Sequence, residues 1–407
     1  VGAGAGFVDT MTHLELKEPL SPLHERLTRI YNPVDCVVNA ANVPIIGYGG
    51  ELDKQLFAAK TMHAKAEELG VPIPLLVGPQ TKHKFHPDSL KEFMAFHATA
   101  TKAGRPRYPD PQQIRFTTCT LKYNRCHWLT IEEQRIPYEP STVEAKVDSA
   151  ENAVRITTKN VGMLSIARDV AERVILDGGE PLPLLTAAGG LLPDVYYEQT
   201  DDGWKVLDYR TSREWQNQPA STKRHNLQGP IDDAFTRSFV CVQGTGTPWS
   251  APLNDWAGWT LDRFRGEYDK WLRAELPIVK DTQLTDELIE SKNLILFGDP
   301  GSNAVLARVV DKLPIQWTRS AIEINGQSYP TESHGVPLVF PNPLNPHRYV
   351  VVNSGHTFHE AEFKGSNAQL YPRMGDAAVI AFRRDDKGYG ETTVWSDVFD
   401  SRWQLPR

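Results

Sequence analysis

A chain of 407 residues is longer than one ordinary hydrophobic core supports, so two or three domains are expected. Hydrophobic residues make up 40% and charged residues 23%, and no apolar run is long enough to span a bilayer, which argues against a membrane partner. The net charge of -7 comes without any Lys/Arg block, so the basic stripe that a phosphate backbone requires is missing and no nucleic acid is expected.

The opening stretch, "VGAGAGFVDT", has no Met, no signal peptide and no polar leader, which predicts a chain that begins inside a longer polypeptide. Regular patterning starts at residue 43. "VPIIGYGG" is a short apolar run bounded by Pro and Gly and predicts a buried strand. In "KQLFAAKTMHAKAEELG", Leu56, Ala59, His63, Ala66 and Leu69 share one helical face, and Gly70 ends the helix. "VPIPLLVGP" predicts a second strand. In "HPDSLKEFMAFHA", Leu90, Phe93, Met94 and His97 recur at helical spacing behind Pro87 and Asp88. Strand, helix, strand, helix is the order of a parallel sheet covered by its crossovers, here only part of one.

After the Pro/Gly-rich joint "TKAGRPRYPDPQQ" the pattern turns to alternation. "IRFTTCTLKYNRCHWLTIEE" predicts a hairpin around its "KYN" corner, and "YYEQTDDGWKVLDY" another with its turn at Asp202 and Gly203. Helices return from about residue 223. Trp256, Trp259, Phe264, Tyr268, Trp271 and Leu272 keep to one side of a long helix and predict a packed face. "NLILFGDPGSNAVLARVVDKL" predicts strand, glycine turn and helix, and "GVPLVFPNPLNPHRYVVVNSG" two strands joined by a proline-rich loop. The expected domains are therefore 1–104, a β-rich segment 105–222, and a second α/β domain 223–407.

The four cysteines, Cys36, Cys119, Cys126 and Cys241, are too few and too scattered for a disulfide scaffold or a zinc ribbon. Cys119 and Cys126 are spaced either to pair across the hairpin or to stand as ordinary thiols facing a sheet. Redox compartment stays open.

In an open parallel sheet, reactive side chains gather in the loops at the carboxyl ends of the strands, where several loops meet one crevice. Asp53, in "GGELDKQ", and His83, in "GPQTKHKFHP", both occupy such loops on consecutive strands. An aspartate bonded to imidazole Nδ1 fixes the tautomer and stabilises the imidazolium formed when Nε2 takes a proton from a serine. Imidazole suits that work because it titrates near neutrality. The ordinary alternatives are a helix cap for Asp53 and a solvated loop histidine for His83. His86 is the rival base, but Pro87 behind it marks a helix boundary, which favours His83.

"VPIIGYGGELDKQ" and "LLVGPQTKHKFHPDSL" resemble the acid and histidine loops of α/β-hydrolases, in particular the large bacterial prolyl-oligopeptidase-like serine hydrolases. "RFTTCTLKYNRCHWLTIE", "HNLQGPIDDAF", "NLILFGDPGSN" and "VPLVFPNPLNPHRYVVVNSGHTF" resemble the trailing half of the same proteins. The resemblance implies an α/β fold: the C-terminal half of an α/β-hydrolase sheet, then a β-rich domain and a second α/β domain. It also implies cleavage of an ester or peptide bond, a periplasmic or secreted location, Asp53 and His83 as catalytic residues, and no cofactor or metal. The family's serine stands in a G-x-S-x-G elbow before a segment similar to "GAGAGF". No G-x-S-x-G occurs in the 407 residues, so the implied partner is an N-terminal fragment carrying the elbow. A non-catalytic binding or assembly protein on a hydrolase scaffold is the alternative.

Ser302 in "GDPGSNAV" and Ser354 in "NSGHTFH", near His356 and His359, stand in no elbow motif and read as turn residues. "GDPGSN" lacks the Gly-Lys-Ser/Thr ending of a phosphate loop, and "HTFHE" lacks the H-E-x-x-H spacing of a zinc helix, so neither nucleotide nor metal is expected. A small-molecule site near Asp299 and Ser302 is a weaker candidate. Asp232 and Asp233 in "GPIDDAF" have no derivable role beyond a turn or helix start.

Overall fold

The computed structural model describes residues 1–4, 6–217, 222–386 and 388–405. The protein is a mixed helix-and-sheet chain with several sheets, the broad α/β class expected. It divides into two compact units, Val1–Leu20 with Thr28–Asn217, and Ser21–Leu27 with Gln218–Arg407.

In the first unit, strands β1 (Gly2–Gly4), β2 (Ile46–Gly50) and β3 (Leu75–Gly78) form a parallel sheet in that order. The Gly/Ala composition of β1 gave no strand signal, because its pairing comes entirely from backbone contact with β2. All five residues of β2 are buried, as a central strand with neighbours on both sides must be. Helix α1 (Thr10–His13) follows β1 in the chain, and the next helix, α2 (Pro22–Thr28), falls almost wholly in the second unit. Helix α3 (Leu56–Glu68) buries Leu56, Ala59 and Ala66, and Gly70 follows it at φ 63°, the left-handed conformation that stops a helix.

Helix α4 (Pro87–Ala103) departs from expectation. Phe93 and His97 are half-buried, whereas Leu90 and Met94 are 41% and 57% exposed. A sheet of three strands is too narrow to cover the whole apolar stripe.

The β-rich segment is a two-layer sandwich. One sheet runs β11 (Leu182–Pro183), β10 (Arg173–Leu176), β8 (Ala153–Lys159), β7 (Ser141–Asp148), β4 (Gln113–Thr118). The other runs β13 (Gly203–Val206), β12 (Asp194–Thr200), β9 (Val161–Ala167), β6 (Leu129–Gln134), β5 (Arg125–Cys126). Ile114, Val143 and Ile156 from the first meet Ile131, Leu164 and Val195 from the second in one core. The hairpin predicted around "KYN" is therefore corrected. β4 and β6 lie in different sheets, and a 3-10 turn at Leu121–Tyr123 carries the chain across. Alternation alone cannot distinguish a hairpin from a sandwich corner, because both present one face to the core. The second predicted hairpin is present as β12 and β13, with Thr200 opposite Gly203. Helix α5 (Tyr209–Asn217) ends the unit.

Two 3-10 segments within Pro33–Asn42, bent at Cys36 (φ -115°, ψ 15°), run along the outer edge of β4 and stand in for a neighbouring strand with side chains. Asn39 Nδ2 donates to Thr117 O at 2.8 Å and Asn39 Oδ1 accepts from Thr117 N at 2.7 Å. One turn on, Asn42 does the same with Arg115 O and N at 2.7 and 3.2 Å. The spacing works because a 3-10 turn of three residues rises about 6 Å and two strand residues about 6.6 Å. Each amide thus occupies the donor and acceptor that an edge strand leaves open.

The second unit is built on a sheet ordered β15 (Ile278–Lys280), β14 (Phe239–Gln243), β16 (Asn293–Phe297), β22 (Asn345–Val352), β21 (Leu338–Asn342), β23 (Ala377–Asp385), β20 (His334–Gly335), with β24 (Gly388–Asp397) on β23. The first four are mutually parallel. Helices α6 (Ala251–Leu272), α7 (Asp286–Ser291) and α8 (Ala304–Val309) link them, a small sheet of β17 (Gln316–Trp317), β18 (Ala321–Ile324) and β19 (Gln327–Pro330) follows, and α9 (Glu360–Phe363) lies after β22. The expected aromatic face of α6 is only partly a core face: Trp256 and Phe264 are buried, Trp259, Tyr268 and Trp271 half-buried, and Leu272 exposed.

Candidate active site

The two loops that leave β2 and β3 are stitched together before any side-chain chemistry begins. Glu51 N donates to Gly78 O at 2.9 Å and Leu52 N to Thr81 O at 2.8 Å. The Glu51 carboxylate returns the contact by accepting from Gln80 N at 2.7 Å. Gly50 makes the approach possible, since a Cβ there would stand 2.2 Å from Lys82 O and 2.4 Å from Thr81 O.

On this frame Asp53 and His83 meet. Asp53 Oδ2 lies 2.9 Å from His83 Nδ1, and its other oxygen accepts from Gln55 N at 2.9 Å. The carboxylate therefore braces the turn before α3 and holds the ring at once; the N-cap of α3 is Gln55, not Asp53. A carboxylate only accepts, which assigns a proton to Nδ1, so in the neutral ring the lone pair is on Nε2. The Asp53 side chain is 7% exposed and that of His83 71% exposed. His83 stands at the centre of a three-residue turn closed by Lys84 N donating to Lys82 O at 2.7 Å, which thrusts its side chain outward. Among the described residues Nε2 has no hydrogen-bond partner. A screened pair this open to solvent adds little stability.

His86 serves differently. Its Nδ1 accepts from Asp88 N at 3.3 Å and caps α4, the boundary role expected of it. Tyr48 was not singled out in the sequence, yet it anchors the base loop: its hydroxyl donates to Lys84 O at 2.9 Å and accepts from His86 N at 2.8 Å, and its ring stacks on Phe85 at 4.1 Å. Nothing in the sequence flags Tyr48, because its partners are more than thirty residues away and are mainly backbone atoms.

The remaining candidates are ordinary structure. Ser302 is 2% exposed, with its Oγ accepting from Asp299 N at 2.9 Å, and Ser354 is 3% exposed, with its hydroxyl on Gly355 O at 2.9 Å. Asp299 is fully buried and caps its own turn through Gly301 N and Ser302 N, both at 2.9 Å. The crevice between the tips of β14 and β16 is filled by their own loops: a Cβ on Gly244 would stand 2.5 Å from Ser302 O. The suggested small-molecule site near Asp299 and Ser302 is therefore closed.

Asp232 and Asp233 acquire a role. Asp232 accepts from Thr357 N at 2.9 Å and from its hydroxyl, while Asp233 accepts from Tyr349 OH at 2.8 Å. The pair staples the 3-10 turn Ile231–Thr236 to β22 and the loop behind it. His356 sits among Phe235, Phe264, Tyr268 and Phe358, and among the described residues neither ring nitrogen has a hydrogen-bond partner. His359 Nδ1 lies 3.2 Å from Glu267. Among the described residues no cluster has the donor set of a metal site.

All four cysteines are free, so Cys119 and Cys126 do not pair. They flank the sheet-to-sheet corner, Cys119 beyond β4 and Cys126 in β5, rather than facing each other across a hairpin.

Comparison with protein-family models, characterised proteins and solved structures finds no match.

Proposed function

We propose that this chain supplies the acid, Asp53, and the general base, His83, of a serine hydrolase acting on ester or peptide bonds. In this reading the nucleophile comes from a polypeptide segment outside the 407 residues, as in prolyl-oligopeptidase-like α/β-hydrolases. The observation that carries it is the 2.9 Å contact from Asp53 Oδ2 to His83 Nδ1 at the carboxyl tips of adjacent parallel strands, on an imidazole whose side chain is largely exposed. A serine hydroxyl brought to Nε2 would lose its proton there as its oxygen attacks the carbonyl carbon, and Asp53 would stabilise the imidazolium that results. The proton would then pass to the leaving group.

Uncovered surface around the sheet supports a partner. Among the described residues no strand pairs with the outer edge of β1, which ends the sheet. Leu52, Val77, Leu90 and Met94 are exposed nearby. Such an edge and such side chains are what the other half of a hydrolase sheet would cover.

The test joins this chain with a serine-bearing companion, supplied as the contiguous longer polypeptide or a co-purifying fragment, and follows hydrolysis of a p-nitrophenyl ester. The expected result is turnover that falls at least about a thousand-fold in His83→Ala, with circular dichroism unchanged. Undiminished turnover would overturn the assignment. The absence of any G-x-S-x-G favours the second reading, a binding or assembly protein on a hydrolase scaffold. That reading requires that no polypeptide in the purified assembly take a fluorophosphonate label.

A further inference from the structure

The amide ladder that joins the 3-10 segments to β4 leads on to two cysteines. Asn42 faces Arg115 and Asn39 faces Thr117; Cys36 stands three residues before Asn39, at the bend between the two 3-10 segments, and Cys119 two residues after Thr117, just past the end of β4. Both residues carry thiols, and each is the largest single influence on the acidity of the other, as neighbouring sulfurs are. The two preceding rungs, four hydrogen bonds in all, hold the backbones in register. The scaffold therefore holds the segments that carry the two thiols side by side.

The two sulfurs are unequal. Cys119 is 1% exposed, whereas Cys36 is half-buried and lines a cavity of about 390 Å³ walled by Phe7, Val37, Ala40, Met62 and Ile73. A reagent can thus reach Cys36 and not Cys119. The neighbouring Cys119 thiol holds the Cys36 thiol below its ordinary value, and the same proximity together with burial pushes Cys119 up. Cys36 is the sulfur poised to attack and Cys119 the one poised to resolve.

We propose that Cys36 and Cys119 form a reversible dithiol–disulfide pair, a redox modification site that reacts with small disulfides. The Cys36 thiolate attacks one sulfur of R–S–S–R, forming Cys36–S–S–R and expelling RS⁻. Cys119 then gives up its proton to solvent and attacks the Cys36 sulfur, expelling the second RS⁻. The small disulfide is reduced to two thiols as the protein pair is oxidised. The bond formed closes a covalent loop from residue 36 to residue 119 that contains both Asp53 and His83. The proposal stands whether or not those two are catalytic.

The test uses the full chain, reduced and freed of reductant, in a Cys126→Ser background, with 5,5′-dithiobis(2-nitrobenzoate) as the small disulfide. Cys241 is fully buried and does not compete. The expected result is release of two equivalents of thionitrobenzoate, a protein lighter by two hydrogen atoms, and a peptide map that links Cys36 to Cys119 until dithiothreitol is added. Adding Cys119→Ser should release one equivalent and leave thionitrobenzoate on Cys36. Thionitrobenzoate retained on Cys36 when Cys119 is present, or an unreactive Cys36 in the folded protein, would overturn the proposal. The peptide map of the Cys119-containing protein decides the matter even if the serine variant fails to fold.

Discussion

The hydroxyl of Tyr48 and the backbone of His86 are joined at 2.8 Å, and the same hydroxyl reaches Lys84 O at 2.9 Å, so one side chain of the central strand pins both sides of Phe85 behind the imidazole turn. His83 is exposed, but the loop that presents it is held from beneath. Tyr48 is a positioning residue for the candidate base.

Tyr48→Phe should remove both bonds while keeping the ring on Phe85. A loss of about 1–3 kcal/mol in the first unit is expected, because two backbone groups lose their partner. Urea unfolding and faster amide exchange at His86 check it.

Asp53→Ala should release the ring of His83 from its fixed tautomer. At a pH where the imidazole is neutral, the ¹⁵N spectrum should move from the Nδ1–H form toward the Nε2–H form. In an assembly that contains the nucleophile, Asp53→Asn should lower kcat by about 10⁴, the cost of presenting the wrong tautomer. An unchanged ¹⁵N spectrum would mean that the 2.9 Å contact does not govern the ring.

In the second unit Lys223 is buried against the Asp376 carboxylate, which also accepts from Phe399 N at 2.8 Å. Lys223→Met should cost about 3–5 kcal/mol, because it removes one member of a buried ion pair. Pairing it with Asp376→Asn should recover part of that loss. Tryptophan-monitored unfolding of the two variants gives the comparison.

His356 sets a pH dependence. Burial among aromatic rings holds it down at about 4, against an ordinary value of 6.5, so the folded state binds fewer protons than the unfolded state between those limits. Its contribution is present above pH 6.5 and is lost as pH falls toward 4, by up to about 3 kcal/mol at 1.36 kcal/mol per pH unit. Asp232 Oδ1, 4.0 Å from His356 Nδ1, opposes this, since burial pushes its carboxyl up to about 6 and protonation there favours the folded state. His356→Phe should flatten the acid side of the stability profile, read as Tm between pH 7 and pH 5. An unchanged slope would exclude His356 as its source.

The sequence by itself determined the pieces whose cause is local. Apolar runs bounded by Pro and Gly marked β2 and β3, helical spacing marked α3 and α4, and the position of two polar residues just past strand ends singled out Asp53 and His83, while Pro87 marked His86 as a helix boundary. Tertiary structure decided everything that depends on what faces what. It separated β4 from β6 into opposite layers, left Leu90 and Met94 in solvent, buried Ser302 and Asp299 beneath Gly244, and set Cys36 against Cys119 instead of Cys119 against Cys126. The reason is physical. Strand and helix signals come from the periodicity of neighbouring residues, whereas layer pairing, crevice closure and thiol contact arise from backbone groups and side chains far apart in the chain, whose spacing no local pattern encodes.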